Sequence, residues 1–378
     1  MERTDGLVSR GLNLSDALNA KSGLVRVLLL GNFISHKRPG AFWVCESLAE
    51  MFRGAGWRVV ASSSCSGRLA RLVGMCVTII KSRRTYDIAL VDVYSGRAFF
   101  LAEFVCRLLA VLGTPFVLSL HGGRLPEFAS KNPERVKRLL TQAAKVTAPS
   151  AWMAREMRRY RDGIIELHNP IDLSLYRTSR CDQVRPKLVW LRSFESFYCP
   201  EMALDVVDQL KNDYPELSLV MIGRDKGDGT LGKVQQEIER RQLSTLVEIV
   251  PGVPKEDVPR YLAEGDIFLN TSSIDNAPVC LVEALASGAL VVSTRVGGIP
   301  DLIEDGRNGV LVEAGDVSAM TRAIERLLDD PLAAVRMRAA GLASVANWDA
   351  KAVLEKWGKI LSPAPLSIDR EQAGRRGV

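Results

Sequence analysis

The sequence predicts two α/β domains, each built on a doubly wound parallel sheet. Its 378 residues are more than one hydrophobic core usually serves. Short apolar runs alternate with helical stretches, and this alternation occurs once before Pro186 and again after it. Strands that alternate with helices are typical of parallel sheets covered by helices on both faces.

The first half contains four candidate strands. A continuous apolar run ends at Gly31, and it predicts a buried parallel strand followed by a tight turn. A loop to Gly40 then leads into a helical pattern over residues 42–54. The predicted strands are 24–31, 57–61, 87–93 and 115–120.

The second half repeats the pattern. Five strands are predicted at 188–191, 217–222, 247–250, 267–270 and 289–293, with helices such as 200–210 and 231–241 between them. The predicted division is a polar extension (1–22), a first domain (23–172), a hinge (173–186), a second domain (187–346), a helix returning to the first domain (347–361) and a disordered tail (362–378). Facing domains of this kind bind ligands in the cleft between their strand ends.

Composition is that of an ordinary globular protein, with 47% hydrophobic and 25% charged residues. The net charge of +6 permits attraction to phosphates or anionic membranes without demanding it, and no nucleic-acid partner is expected. Seven scattered cysteines without CxxC spacing predict reduced thiols. We also expect no signal peptide, no spanning helix and a cytoplasmic location.

The strongest local pattern covers residues 266–288, where a strand leads through a polar loop into a helix. Asn276 is a good candidate N-cap, Pro278 suits the first turn, and Gly288 suits the helix end. The helix N-terminus would offer free N–H groups to an anion. Glu283 lies in an otherwise apolar helix, where a charge needs a reason. The alternative is that Asp275 and Glu283 are merely solvated charges.

This segment resembles the family 4 retaining glycosyltransferases, which have the GT-B fold. The resemblance rests on Asp275, on Glu283 eight positions later and on the Ala-x-Ala-x-Gly that ends at Gly288. The segments 291–301, 169–172 and 120–123 fit the same family, and the likeness extends over roughly residues 24–361.

The resemblance assigns roles to individual residues. Glu283 would hold the donor ribose, and Asp275, where the family usually has Glu, would contact the transferred sugar. His121 would close on that sugar, although a histidine that caps the turn after a strand is the alternative. Backbone groups around the sugar and diphosphate would come from Asn276, Pro278 and Val279.

The diphosphate site departs from the family pattern. The family holds the diphosphate with an Arg followed five residues later by a Lys. Arg192 matches the first, but Phe197 stands at the second. Lys226 is a candidate substitute, or else a solvated turn residue. Gly31 and Gly40 bracket the loop that approaches the donor phosphates in the family, without the usual glycine pair.

The implied function is transfer of a sugar from a nucleotide sugar to a glycan or lipid-linked acceptor, with retention, in surface polysaccharide or glycolipid synthesis. No cofactor or metal is expected. The basic and apolar segment 68–84 is either a helix that docks on an anionic membrane or a core helix with charged ends. Two alternatives are a nucleotide-sugar 2-epimerase and a degenerate protein that binds nucleotide sugar without turnover.

Overall fold

The protein folds into two six-stranded parallel sheets flanked by helices, which confirms the predicted fold class. The computed structural model describes residues 25–31, 33, 44–62, 67–176 and 183–362. The predictions made for residues 1–22, for Gly40 and for the tail after residue 362 lie outside this part of the chain.

The first sheet has the strand order β2-β1-β3-β4-β5-β6, and each paired strand is parallel to its neighbour. Its strands are β1 (Arg26–Leu30), β2 (Arg58–Ala61), β3 (Ile88–Val93), β4 (Phe116–Leu120), β5 (Lys145–Ala148) and β6 (Ile165–Glu166). Its helices are α1 (Val44–Gly54), α2 (Arg68–Lys81), α3 (Arg97–Val111), α4 (Leu125–Lys131), α5 (Pro133–Gln142) and α6 (Ala151–Met157).

The second sheet has the order β12-β11-β10-β7-β8-β9, also parallel throughout. Its strands are β7 (Lys187–Leu191), β8 (Ser218–Gly223), β9 (Val247–Pro251), β10 (Ile267–Asn270), β11 (Leu290–Thr294) and β12 (Val310–Val312). The helices that follow in chain order are α7 (Pro200–Leu210), α8 (Thr230–Arg240), α9 (Val258–Glu264), α10 (Val279–Ala286), α11 (Ile299–Leu302), α12 (Val317–Asp329), α13 (Pro331–Ser344) and α14 (Ala350–Leu361).

Each sheet separates two hydrophobic clusters, because its strands are apolar on both faces. The last helix, α14, packs on the first sheet rather than on the second. Its Trp357 ring meets the Phe52 ring of α1 edge to face at 6.0 Å, and Lys145 donates to the Ile360 carbonyl at its C-terminus. The chain therefore crosses from one domain to the other twice, first between β6 and β7 and again before α14.

All nine strands expected from apolar runs are present, with ends shifted by at most a few residues. Three further strands, β5, β6 and β12, were not predicted. β6 and β12 have only two and three residues, and β5 (Lys-Val-Thr-Ala) mixes polar and apolar side chains. The predicted hinge contains a 3₁₀ turn, Leu173–Leu175, and the buried Tyr176. Among the described residues, no helix combines the length and the hydropathy needed to cross a membrane.

Candidate functional site

A cleft of about 520 Å³ lies between the two sheets, at the carboxyl ends of their strands. The first domain contributes the residues that follow β3 and β4, and the second contributes those that follow β7, β8 and β10. Eight of the ten predicted site residues line this one cleft: His121, Arg192, Lys226, Asp275, Asn276, Pro278, Val279 and Glu283.

A buried polar network shapes the loop between β10 and α10. Asn270 donates to Ser293 at 2.9 Å and accepts from Ser272 at 2.9 Å. Thr294 donates to the Ser272 carbonyl at 2.6 Å. Because these side chains are buried, their bonds fix the backbone in one arrangement. The loop that carries Asp275 is thus a rigid wall of the cleft.

Two glycines allow the segment after β11 to pass directly against this wall. A Cβ atom at Gly297 would collide with the Asp275 carbonyl oxygen, and one at Gly298 with the Asn276 carbonyl oxygen. Gly297 also has a φ of +53°, which favours glycine. The Gly-Gly pair is therefore required by a close backbone approach to the site.

The start of α10 differs from the prediction. Asn276 does not cap the helix, which begins at Val279 after Pro278 without a side-chain cap. Instead, the Asn276 side-chain oxygen accepts a 2.6 Å hydrogen bond from Ser150, which caps α6 in the first domain. Tertiary contact between the domains has overridden the local capping preference. The predicted helix end is correct, since Gly288 follows the last turn with a φ of +73°.

Glu283 is buried in the wall of the cleft. Burial raises the pKa of its carboxyl group, and the positive charge of Lys255 is the largest influence in the opposite direction. Its Oε1 accepts a 2.9 Å hydrogen bond from the Tyr176 hydroxyl, and burial raises the pKa of Tyr176 as well. A buried carboxylate with one oxygen left for a ligand suits recognition of hydroxyl groups.

Arg192 and Asp275 form a close ion pair near the N-terminus of α10. The Arg192 guanidinium also lies over the Tyr198 ring, with 4.4 Å between the guanidinium carbon and the ring centroid. The Asp275 Oδ1 atom accepts from the Asn276 amide at 2.9 Å. A guanidinium held between an aromatic face and a carboxylate is positioned to receive an anion.

His121 faces the cleft from the first domain. Its Nε2 lies 3.2 Å from Asp92 Oδ1, and its ring stacks on Tyr94 with a centroid separation of 5.1 Å. All these side chains are largely buried, so the imidazole is held along one edge and one face. Because Nε2 faces the Asp92 carboxyl group, Nδ1 is the ring nitrogen left for a ligand.

Gly31 lies apart from the other predicted site residues. It does not line the large cleft but a much smaller cavity beside Asp92 and Tyr94. A Cβ atom at Gly31 would lie 2.5 Å from Asp92 Oδ2 and 2.9 Å from the Cys45 Cβ atom. The glycine makes room for the carboxylate behind His121. Gly40 is not among the described residues.

In the described part of the chain, four cationic residues other than Arg192 line the cleft: Arg124, Arg224, Lys226 and Lys255. Lys226 lies 3.6 Å from Glu195 in an ion pair. Lys255 donates to Ser47 Oγ of α1 at 3.2 Å, across the cleft. Arg124 lies over the Phe197 ring at 4.9 Å. Among the described residues there is no group of three His, Cys, Asp or Glu side chains that could hold a metal ion.

Sequence reasoning missed four residues of this region: Tyr176, Asp92, Lys255 and Arg124. Arg124 had a signal, since it lies three positions after His121 in the same loop. The other three are brought to the site only by the packing of elements distant in sequence, which no local pattern reveals.

Two family models match the chain and cover well over half of it. The model of the group 1 glycosyl transferases matches residues 183–343, and that of glycosyltransferase family 4 matches residues 63–175. The first match contains the wall with Asp275 and Glu283, and the second contains His121 and Arg124.

Similar curated proteins are glycosyltransferases. A GDP-mannose-dependent alpha-(1-6)-phosphatidylinositol monomannoside mannosyltransferase of Mycolicibacterium smegmatis is 29% identical over 164 residues, 42% of each chain. A D-inositol 3-phosphate glycosyltransferase of Streptomyces avermitilis is 31% identical over 274 residues, 64% of this chain and 59% of its own. The chain thus spans less than half the length of the first relative.

Solved structures share the fold at low sequence identity. Anabaena HepE in complex with UDP and glucose superposes with a TM-score of 0.71 at 18% identity, over 89% of this chain and 99% of its own. Sucrose-phosphate synthase of Thermosynechococcus elongatus gives a TM-score of 0.73 at 17% identity, over 89% and 98%. With two parallel six-stranded sheets facing one cleft, and with both family models matched in order, this chain belongs to the group 1 and family 4 glycosyltransferases of GT-B fold.

Proposed function

We propose that this protein transfers a sugar from a nucleotide sugar to a glycan or lipid-linked acceptor, with retention of the anomeric configuration. One observation carries the proposal: Arg192, Asp275 and Glu283 of one domain face His121 of the other across a single cleft. The names of similar structures support the donor class, since HepE was solved with UDP and with UDP-glucose.

The site residues fit the parts of such a donor. Glu283, buried beside Tyr176, would accept hydrogen bonds from the ribose hydroxyls. Arg192 and the N-terminus of α10 would hold the diphosphate, and the Asp275 loop would contact the sugar. His121, with Nδ1 free, would bind a hydroxyl group of the transferring sugar.

In the proposed reaction, the bond between the anomeric carbon and the diphosphate oxygen breaks while an acceptor oxygen bonds to the same face of that carbon. The acceptor proton passes to the departing phosphate oxygen. Negative charge grows on the diphosphate in the transition state, and fixed cations placed there accelerate the step. Because this chain has guanidinium and ammonium groups for that task, we propose that no metal is needed and that a chelator leaves the rate unchanged.

We further propose that the first domain docks on an anionic lipid surface where a lipid-linked acceptor resides. In the part of the chain that the structure describes, nine large hydrophobic residues are exposed, and seven of them lie on the adjacent helices α2 and α3. They are Leu69, Val73, Val77, Ile80, Phe100, Phe104 and Val111. Exposed basic residues flank them at Lys81, Arg83, Arg84, Arg97 and Arg107, and α2 contains no acidic residue. An apolar surface bordered by cations suits the interface of an anionic bilayer.

Donor binding is the first test of this proposal. In a thermal-shift panel of nucleotide sugars, we expect one donor to raise the melting temperature, because a ligand at roughly 100 times its Kd stabilises the folded state by about 2.7 kcal/mol. Glu283→Ala should abolish that shift. Glu248→Ala, which removes an exposed carboxylate of β9, is the matched control and should preserve it.

The outcomes separate the alternatives. No stabilisation by any nucleotide sugar would contradict the proposal, and an unchanged shift in Glu283→Ala would place the donor elsewhere. Donor binding without release of nucleoside diphosphate, even with lipid acceptors, would support a degenerate binding protein. Conversion of the free nucleotide sugar to its 2-epimer would support an epimerase.

A further inference from the structure

Four side chains form a continuous row across the cleft, from the first domain to the second. The Arg124 guanidinium lies 4.9 Å from the Phe197 ring centroid, and that ring lies 4.3 Å from the Tyr198 ring. The Arg192 guanidinium then lies 4.4 Å from the Tyr198 centroid. Two guanidinium groups therefore flank an aromatic pair, and all four residues line the cleft.

The aromatic pair is fixed to the wall that carries Asp275. The Phe197 carbonyl accepts hydrogen bonds from the Ser273 amide at 2.8 Å and from the Ser273 hydroxyl at 2.9 Å. The Tyr198 carbonyl accepts from Thr271 at 2.7 Å. These bonds fix the backbone at Phe197, five residues after Arg192, and place its ring beside the Arg124 guanidinium.

Arg124 reaches that ring from a loop docked on the opposite domain. Gly123, just before it, packs so closely that a Cβ atom there would lie 3.1 Å from Ile274 Cγ1 and 3.2 Å from the Asp275 carbonyl carbon. Within the described chain, no carboxylate forms an ion pair with Arg124. Its positive charge is therefore available to a ligand in the cleft.

We propose that Arg124 is the second cation of the diphosphate site, supplied by the first domain to the position that Phe197 leaves without charge. This inference rests on the proposed function. The two arginines would grip the diphosphate from opposite sides, each with a planar fork of donors that matches phosphate oxygens. Cation–π contacts with Phe197 and Tyr198 hold the two forks in place without neutralising them.

Lys226 is the competing candidate for this role. It lines the same cleft, and its ammonium group lies 3.6 Å from Glu195, much as Arg192 is paired with Asp275. Arg124 differs from both in having no ion pair with a carboxylate among the described residues. Arg124 also differs from Lys226 in belonging to the other domain. A diphosphate bound between Arg124 and Arg192 would therefore bridge the two domains, whereas one bound to Lys226 and Arg192 would contact only the second.

Calorimetric binding of UDP, with uridine as the uncharged comparison, tests this assignment, and GDP with guanosine is measured in parallel. Arg124→Ala should weaken binding of the diphosphate by roughly 10- to 30-fold, the loss expected for one charge-assisted contact, and leave the nucleoside unchanged. The double variant Arg124→Ala with Phe197→Lys should recover most of the lost affinity, because the new lysine returns a cation to the diphosphate site from the second domain.

Two single variants serve as controls. Arg138→Ala removes an exposed arginine of α5 outside the cleft and should bind UDP as the unmodified protein does. Lys226→Ala should weaken UDP binding by no more than about threefold. If Arg124→Ala binds UDP as the unmodified protein does, whether or not Lys226→Ala loses binding, the assignment of Arg124 is wrong but the proposed function still stands. If neither diphosphate binds the unmodified protein, the proposed function itself fails.

Discussion

At the residue scale, ionisation of the buried Glu283 destabilises the folded protein. The carboxyl group is buried, and burial raises its pKa above the ordinary value. The folded protein therefore holds the Glu283 proton more tightly than the unfolded chain does. As pH rises through the ordinary glutamate pKa of about 4.3, the unfolded chain releases this proton first, and the folded state loses relative stability until the raised pKa is passed.

Glu283→Gln should remove this pH-dependent cost. Its amide oxygen can still accept from Tyr176, but the side chain cannot ionise. We expect the melting temperature of the variant, relative to the unmodified protein, to increase from about pH 4 to neutral pH. Melting curves over a pH series measure the difference. A relative melting temperature that stays constant or falls would contradict the assignment of Glu283 as a buried, destabilised carboxylate.

Glu237→Gln is the control for the sign of this effect. Arg240 and then Arg241 hold the pKa of Glu237 down to about 2, so its ionised form favours the folded state above the ordinary glutamate pKa. Replacing Glu237 with Gln should lower the melting temperature relative to the unmodified protein at neutral pH. The difference should shrink as pH falls from the ordinary glutamate pKa toward the lowered pKa of about 2. The two variants should thus change in opposite directions.

At the scale of elements, the sequence predicts what long apolar runs dictate and misses what tertiary contact decides. β10 was predicted at its observed bounds, Ile267–Asn270, because a buried parallel strand is apolar on both faces. The N-cap of α10 was misplaced, because Asn276 bonds to Ser150 of the other domain instead. Lys255 reaches the site through domain packing, so its role cannot be found from spacing, whereas the position of Arg124 three residues after His121 was a usable signal.

The adjacent helices α2 and α3 present the exposed apolar face that we propose docks on a membrane. If the exposed apolar face inserts among lipids as proposed, Phe100→Ser with Phe104→Ser should strongly reduce co-sedimentation with vesicles of phosphatidylcholine and phosphatidylglycerol. Added salt should then release the unmodified protein, since salt screens the proposed attraction between its basic residues and anionic headgroups. Leu332→Ser, which changes an exposed apolar residue of α13, is the matched control.

Three results would contradict membrane docking by this face. They are equal binding to neutral and anionic vesicles, indifference to salt, and unchanged binding of the double serine variant. Self-association in lipid-free solution that the double variant abolishes would instead identify the face as an interface between copies of the chain.

At the scale of the whole molecule, contacts join the two domains on several sides of the cleft. Ser150 donates to Asn276 at 2.6 Å, Arg155 donates to Asp301 at 2.9 Å, and Lys255 donates to Ser47 at 3.2 Å. Residues of both domains therefore meet around the space where the donor would lie. Burial between two domains lowers the local dielectric constant, which strengthens the charged contacts within the cleft.

We propose that this cleft transfers sugar with retention. The most direct measurement is an NMR time course with a donor labelled with carbon-13 at the anomeric carbon, chosen from the thermal-shift panel and mixed with glycan and lipid-linked acceptors. The account predicts a new glycosidic signal with the donor's anomeric configuration, formed as nucleoside diphosphate appears, and unaffected by a chelator. A product of inverted configuration, an epimerised donor, or an intact donor with every acceptor would contradict it.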